Sequence, residues 1–313
     1  MRNSGKSNRS KNQHWVPRFY LRQFATPETR EKDEAQIWMF SNQDRDGDER
    51  LTNIKNVCAR RYLYSPMDDS GQRDWALEQQ LADLEGHLAS LWPVFAAELI
   101  DFGQSNIRNV VGLFVSVMHM RSPDTLHTVE DIHRRLGALY ETAPKNPDRT
   151  PNVEIVDRSG KAQPLDPRGW EKYRTAGADD HQRFFAQMIR GEAVRIARRL
   201  IQKRWCTLLV EEDAFVTSDR PVSIQHQSKE VFGVGTPGSI VIFPLTPRRL
   251  LVMDDRHEQP PNQYYSLSRE SVGPLNGLIW RNGRLLLTGR PIRDVLTELV
   301  SSTDEVFGST NCL

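Results

Sequence analysis

Seven apolar residues, Leu77, Leu81, Leu84, Leu88, Leu91, Phe95 and Leu99, recur at spacings of three and four. That is the buried stripe of a long amphipathic helix over residues 75–99. Val110, Val111, Phe114, Val117 and Met118 give a second helix over 107–121, and Ser122-Pro123-Asp124 breaks it before a third that runs to Tyr140. Residues 179–204 are helical again. From Trp205 the period changes to alternation and β-branched runs at 205–211, 214–217, 222–225, 239–245 and 249–253, with connections short enough for an antiparallel meander. Residues 263–281 and 291–301 read as closing helices with a strand at 285–288 between them. Near the start, Pro17 opens a brief helix carrying Phe19, Tyr20, Leu21 and Phe24, and 37–40 and 62–64 read as short strands with the charged turn 44–49 as the tip between them. Helices and strands are segregated, so the expected fold is α+β, a helical bundle packed against a mainly antiparallel sheet.

Residues 1–11 are polar and basic without apolar periodicity and read as a disordered tail. Residues 12–313 read as a single integrated domain. Within it, 143–177 hold five prolines and no sustained pattern, the mark of a surface insertion with at most a hairpin.

Composition narrows the function classes. Of 313 residues 38% are hydrophobic, enough for a sizeable core, and 42 Lys and Arg balance 41 Asp and Glu. No global field draws the molecule to nucleic acid or an anionic membrane, so any such contact is local. No apolar run approaches the roughly 20 residues of a membrane span, and three dispersed cysteines, Cys58, Cys206 and Cys312, fit a reducing compartment, with structural thiols the expectation. No GxSxG elbow, no HExxH and no GxGxxG following a strand is present. Glu130-x-x-His133 is half of a di-iron pattern without its other half and reads as a solvated helix face. The basic face Arg195, Arg198, Arg199 and Lys203 reads as solvated too.

Chemistry concentrates at a few places. With Pro17 as first helical residue, Val16 offers no side-chain cap, and the free N–H groups suit an anion. His14, Arg18 and Arg22 lie at four-residue intervals around that start. Arg121, at about 100° per residue, falls near the centre of the stripe of Val110, Phe114 and Val117 and needs a carboxylate. Glu78 and Glu85 share one flank of the preceding helix and are its candidate partners, either as a register-fixing ion pair or as acid, base or metal ligand beside His14. Asp219, at the end of a strand before Pro221, would either cap its own turn or hold a catalytic carboxylate rigidly.

The same stretches resemble a known family, domain of unknown function 4238. Gln13-His14-x-x-Pro17-x-x-Tyr20-Leu21-x-x-Phe24 is similar to its opening hallmark, and Thr217-Ser218-Asp219-x-Pro221-Val222 with Phe243-Pro-Leu-Thr-Pro247 to its second half. Asn56, Tyr64, Glu78-x-x-Leu81-x-x-x-Glu85, Arg121-Ser-Pro123 and Asn276 match its other recurrent residues, whereas Trp15 stands where the family shows a smaller aromatic. The resemblance implies a bacterial cytoplasmic protein with an integrated fold, and brings no activity, substrate or cofactor with it. The combined expectation is one pocket for a metal-dependent phosphodiester or phosphate-ester hydrolase acting on nucleic acid or a nucleotide. In it His14, Glu85 and Asp219 are catalytic, Glu78, Glu85 and Asp219 hold a divalent metal ion, and Gln13, Arg18, Arg121 and Asn276 bind substrate. The alternatives are a non-catalytic phosphate- or nucleotide-binding module and an interaction protein braced by these polar residues.

Overall fold

The computed structural model describes residues 10–41, 49–97, 99–156, 159–164 and 167–308. The chain opens with β1 (Asn12–His14) and α1 (Arg18–Gln23), followed by β2 (Gln36–Ser41), β3 (Glu49–Asn53) and β4 (Ala59–Arg61). The helices α2 (Ala76–Ala97), α3 (Ser105–Met120) and α4 (Pro123–Thr142) come next. A short hairpin, β5 (Glu154–Val156) and β6 (Ala162–Pro164), precedes α5 (Pro167–Thr175) and the long α6 (Ala178–Gln202). Strands β7 (Arg204–Leu209), β8 (Thr217–Ser218), β9 (Ser223–Gln225), β10 (Ile240–Thr246), β11 (Arg249–Asp254) and β12 (Gln263–Ser266) then lead to α7 (Val272–Arg281), β13 (Leu285–Thr288) and α8 (Ile292–Gly308). The fold is α+β. Among the described residues no helix is long and apolar enough to cross a membrane.

The strands form a five-stranded sheet ordered β12-β7-β11-β10-β9, a four-stranded sheet ordered β3-β2-β13-β8, and the two-stranded ribbons β1-β4 and β5-β6. All pairings are antiparallel except β12 with β7. The expected meander is therefore divided: β8 leaves it to join β13, because Phe215 and Val216 bury against the α7 and α8 side of the molecule. Residues 263–266, expected as the start of a helix, form β12 instead. Its Tyr264 hydroxyl donates to the Ile100 carbonyl (2.8 Å), a tie that an extended segment can reach. Residues 62–64 are not a strand either. β2 pairs with β3, and Tyr62 turns the chain with φ of 55°. The charged tip at 44–49 lies, except for Glu49, outside the described residues.

Two apolar clusters set the ground for the site. Tyr20, Phe24, Trp92, Phe114 and Phe243 form an aromatic centre that docks α1 between α2, α3 and β10. The Tyr20 hydroxyl donates to the Pro244 carbonyl (2.8 Å), so the N-terminal helix is tied into the distant sheet. Leu77, Leu81, Val117, Met120 and Phe185 pack α2, α3 and α6 together around Leu63 and Tyr64.

Several polar expectations change here. His133 is not solvated: it is 6% exposed and enclosed by the rings of Tyr173, His181 and Phe184. Tyr173 belongs to α5, a helix not expected in the insertion. Lys203 is buried and bonds Asp255 (2.8 Å), leaving the outer basic face of α6 without it. Cys58 and Cys206 are buried free thiols, and Cys312 lies outside the described residues, as do residues 1–9 of the basic tail. Lys11, placed in that tail, accepts the Tyr62 N–H at 2.9 Å.

Candidate functional site

α2 presents Glu78, Ala82, Glu85, Gly86 and Ala89 along one face, at steps of three, four and one. The long side chains stand at two places, and between them the helix surface is nearly bare. β1 and α1 cross opposite this face, and the space left is a cavity of about 380 Å³. Its walls include Asn12 and His14 from β1, Arg18 and Phe19 from α1, Glu78 and Glu85 from α2, and Arg121 at the end of α3.

Arg121 is the C-cap of α3 and only 2% exposed. Its Nη2 meets Glu85 Oε1 at 2.7 Å and also donates to the His14 carbonyl. Its Nε donates to the Tyr64 hydroxyl at 3.3 Å, and that hydroxyl donates back to the Arg121 carbonyl at 2.7 Å. Nη1 has no hydrogen-bond partner among the described residues. Burial works against the guanidinium charge, but Glu85 and Tyr64 outweigh it and raise the pKa further. The expected ion pair is thus formed with Glu85. Tyr64, matched only by family resemblance, is the third member, because a planar guanidinium has more donors than one carboxylate satisfies.

Glu78 makes no hydrogen bond or ion pair of its own among the described residues. Burial first, and the neighbouring Glu85 second, push its carboxyl up to about 7 against the pull of Arg121. His14 Nε2 lies 3.2 Å from the Lys55 carbonyl, and since a carbonyl only accepts, Nε2 carries the proton. Burial holds His14 below its ordinary value, with Arg18 and Arg121 acting in the same direction and the Lys55 bond acting against them. The neutral ring therefore keeps an Nδ1 lone pair. Arg18 is exposed at the mouth and has no ion-pair partner among the described residues.

The anion expected at the helix start is not favoured by α1 itself. The helix has six residues and begins at Arg18, with Pro17 as its cap and not its first residue. So short a stack of peptide dipoles contributes little, and the charge of the cavity comes from side chains.

Three expected site residues lie elsewhere. Gln13 is buried under the ribbon, where its amide donates to the Ser65 hydroxyl (2.7 Å) and its carbonyl accepts the Tyr64 N–H (2.7 Å). Asn276 on α7 accepts the Val216 N–H (3.1 Å) and donates to the Ala214 carbonyl (3.0 Å), stapling that helix to the strand segment before β8. Asp219 accepts the N–H groups of Arg284 (2.8 Å) and Leu285 (3.0 Å), and its own carbonyl takes the Trp15 indole N–H (3.0 Å). Burial raises the Asp219 pKa, and those two backbone bonds oppose the rise. Its carboxylate holds β13 and does not line the cavity. Accordingly no group of three or more His, Cys, Asp or Glu comes together to hold a metal ion among the described residues, and Glu78, Glu85 and Asp219 do not form the expected ligand set. The Gly-rich run Gly233-x-Gly235-x-x-Gly238 leads into β10, not into a helix, and so lacks the N–H cradle of a dinucleotide loop.

The sequence profile of the family described as Protein of unknown function (DUF4238) matches residues 12–290, and the chain belongs to that family. No curated protein matches the chain, and no solved structure does.

Proposed function

We propose that this DUF4238 protein binds a phosphate ester in the α1–α2 cavity and hydrolyses it by proton transfer, the ligand being a nucleotide or nucleic acid. One observation carries the reading: Glu78, His14 and Arg18, from three separate elements, open on one cavity with bonding capacity not used up by the fold. At about 380 Å³ the cavity is of small-ligand size. Arg18 supplies a free guanidinium for the phosphate oxygens, while the charge of Arg121 in the wall is answered by Glu85. His14 Nδ1 takes a proton from the attacking water. As the water oxygen bonds to phosphorus, the ester P–O bond breaks, and the Glu78 carboxyl protonates the leaving oxygen. The two side chains then exchange their proton with solvent. Asp219 and Asn276 brace the fold in this reading.

Calorimetry with inorganic phosphate and turnover of bis(4-nitrophenyl) phosphate test it together. Arg18→Ala is expected to weaken phosphate binding about tenfold. Glu78→Gln and His14→Ala are each expected to lower kcat by about a hundredfold or more while phosphate still binds. Failure of the wild-type chain to bind phosphate overturns the reading. Binding without turnover identifies a non-catalytic phosphate-binding module instead.

A further inference from the structure

The β1-β4 ribbon extends the edge of the cavity. Its register sets Asn12 opposite Arg61 and Gln13 opposite Arg60. Directly opposed residues of antiparallel strands share one side of the ribbon, and Asn12 lines the cavity, so Arg61 stands on the cavity side. Tyr62 follows at once. Its half-buried ring meets Trp75 edge to face with centroids 6.2 Å apart. The Arg73 guanidinium lies 3.7 Å from the Tyr62 centroid and that of Arg61 5.6 Å. Trp75 immediately precedes α2 and lies one turn before Glu78. Arg18 and Arg61 are both exposed, and neither has a carboxylate partner among the described residues.

We propose that this face binds single-stranded nucleic acid. One phosphate sits in the cavity, the adjoining base stacks on the shelf of Tyr62, Trp75 and their guanidinium neighbours, and the backbone passes Arg61. The inference rests on the cavity being a phosphate site, as argued above, and adds the polymer class. Ring and guanidinium planes accept any unstacked base, whereas a duplex keeps its bases covered.

The test is fluorescence anisotropy of a labelled oligothymidine of about twelve nucleotides over a range of NaCl, with its duplex as control and inorganic phosphate measured by calorimetry. The single strand is expected to bind about tenfold or more tighter than the duplex. Trp75→Leu should lose about tenfold of that affinity. Arg61→Ala should flatten the slope of log K against log salt by about 0.7, the loss of one phosphate contact. Both variants should keep the melting temperature and the affinity for inorganic phosphate. Equal binding of duplex and single strand, or oligonucleotide binding unmoved by either variant, overturns the proposal. Phosphate binding with no gain for the oligonucleotide removes the shelf and keeps the cavity. Oligonucleotide binding that responds to Trp75→Leu but not to Arg18→Ala keeps the shelf and removes the cavity reading. If neither ligand binds, both fall.

Discussion

A guanidinium with 2% of its surface exposed must be matched by acceptors, and for Arg121 they come from three directions: Glu85, Tyr64 and the His14 carbonyl. Arg121→Ala leaves Glu85 without its charge partner and the β1 carbonyl without its donor, a loss of about 3–5 kcal/mol. Arg18→Ala removes an exposed side chain and should stay within about 0.5 kcal/mol of wild type. Urea denaturation of the two variants reads the difference, and coincident midpoints would contradict the bracing role. Glu78 makes the opposite kind of statement. Its carboxyl is raised from 4.5 to about 7, so between those values the unfolded chain has lost a proton that the folded chain keeps. Stability therefore falls as pH rises through that window, and the deficit is complete above it. Glu78→Gln has no such proton to lose. It should melt with wild type near pH 4.5 and above it at pH 8, the gap opening between 4.5 and about 7. A gap independent of pH would show that Glu78 titrates normally.

Among the elements, helix α2 shows what the sequence makes legible. Its leucine stripe gave the helix and its buried side, and the step from Glu78 to Glu85 put both carboxylates on one flank. The bareness of that flank was readable as well, in Ala82, Gly86 and Ala89, but small residues on an exposed helix face look like ordinary surface until another element crosses them. A Cβ at Gly86 would meet nothing within 4 Å. Gly86→Ala should therefore stabilise α2 by about 0.5–1 kcal/mol through lower unfolded-state entropy. Gly86→Leu should keep that stability yet fill the cavity and abolish phosphate binding. Unchanged phosphate binding by the leucine variant would place the ligand elsewhere. The elements that were misread share a cause: β12, β4 and α5 are short, and their conformation is set by distant partners. Tyr264 adopts an extended segment beside β7, and Tyr173 meets His133 of α4. Local periodicity carries no record of such contacts.

At the scale of the whole molecule, the expected site residues gather at two places instead of one, and among the described residues the cavity is lined only by those from Ser10 to Arg121. His14 lines the cavity, while the next residue, Trp15, reaches across to the Asp219 carbonyl, so the N-terminal strand joins the site to the sheet behind it. What recurs together in the family signature therefore divides into a group open to ligand and a group closed on backbone. The sequence shows both as polar residues in unusual company. It cannot show that the Asp219 carboxylate is answered by N–H groups more than sixty positions downstream. Gly283 confirms how tightly that joint is built: a Cβ there would come within 2.5 Å of Asp219 Oδ1 and 2.8 Å of Ser218 Cβ. The last prediction separates the two groups by their readouts. Asp219→Ala leaves two part-buried backbone donors unpaired, and Asn276→Ala leaves a buried donor and a buried acceptor, so each should cost about 1–3 kcal/mol. Gly283→Ala should destabilise as well, since the side chain must displace the carboxylate from its N–H partners. In the folded fraction, all three variants should bind phosphate with wild-type affinity, whereas Arg18→Ala should show wild-type stability and weakened binding. Denaturant midpoints and calorimetric titrations on the same four proteins decide it. If Asp219→Ala keeps full stability and loses phosphate binding, its carboxylate serves the ligand and the division drawn between site and brace is wrong.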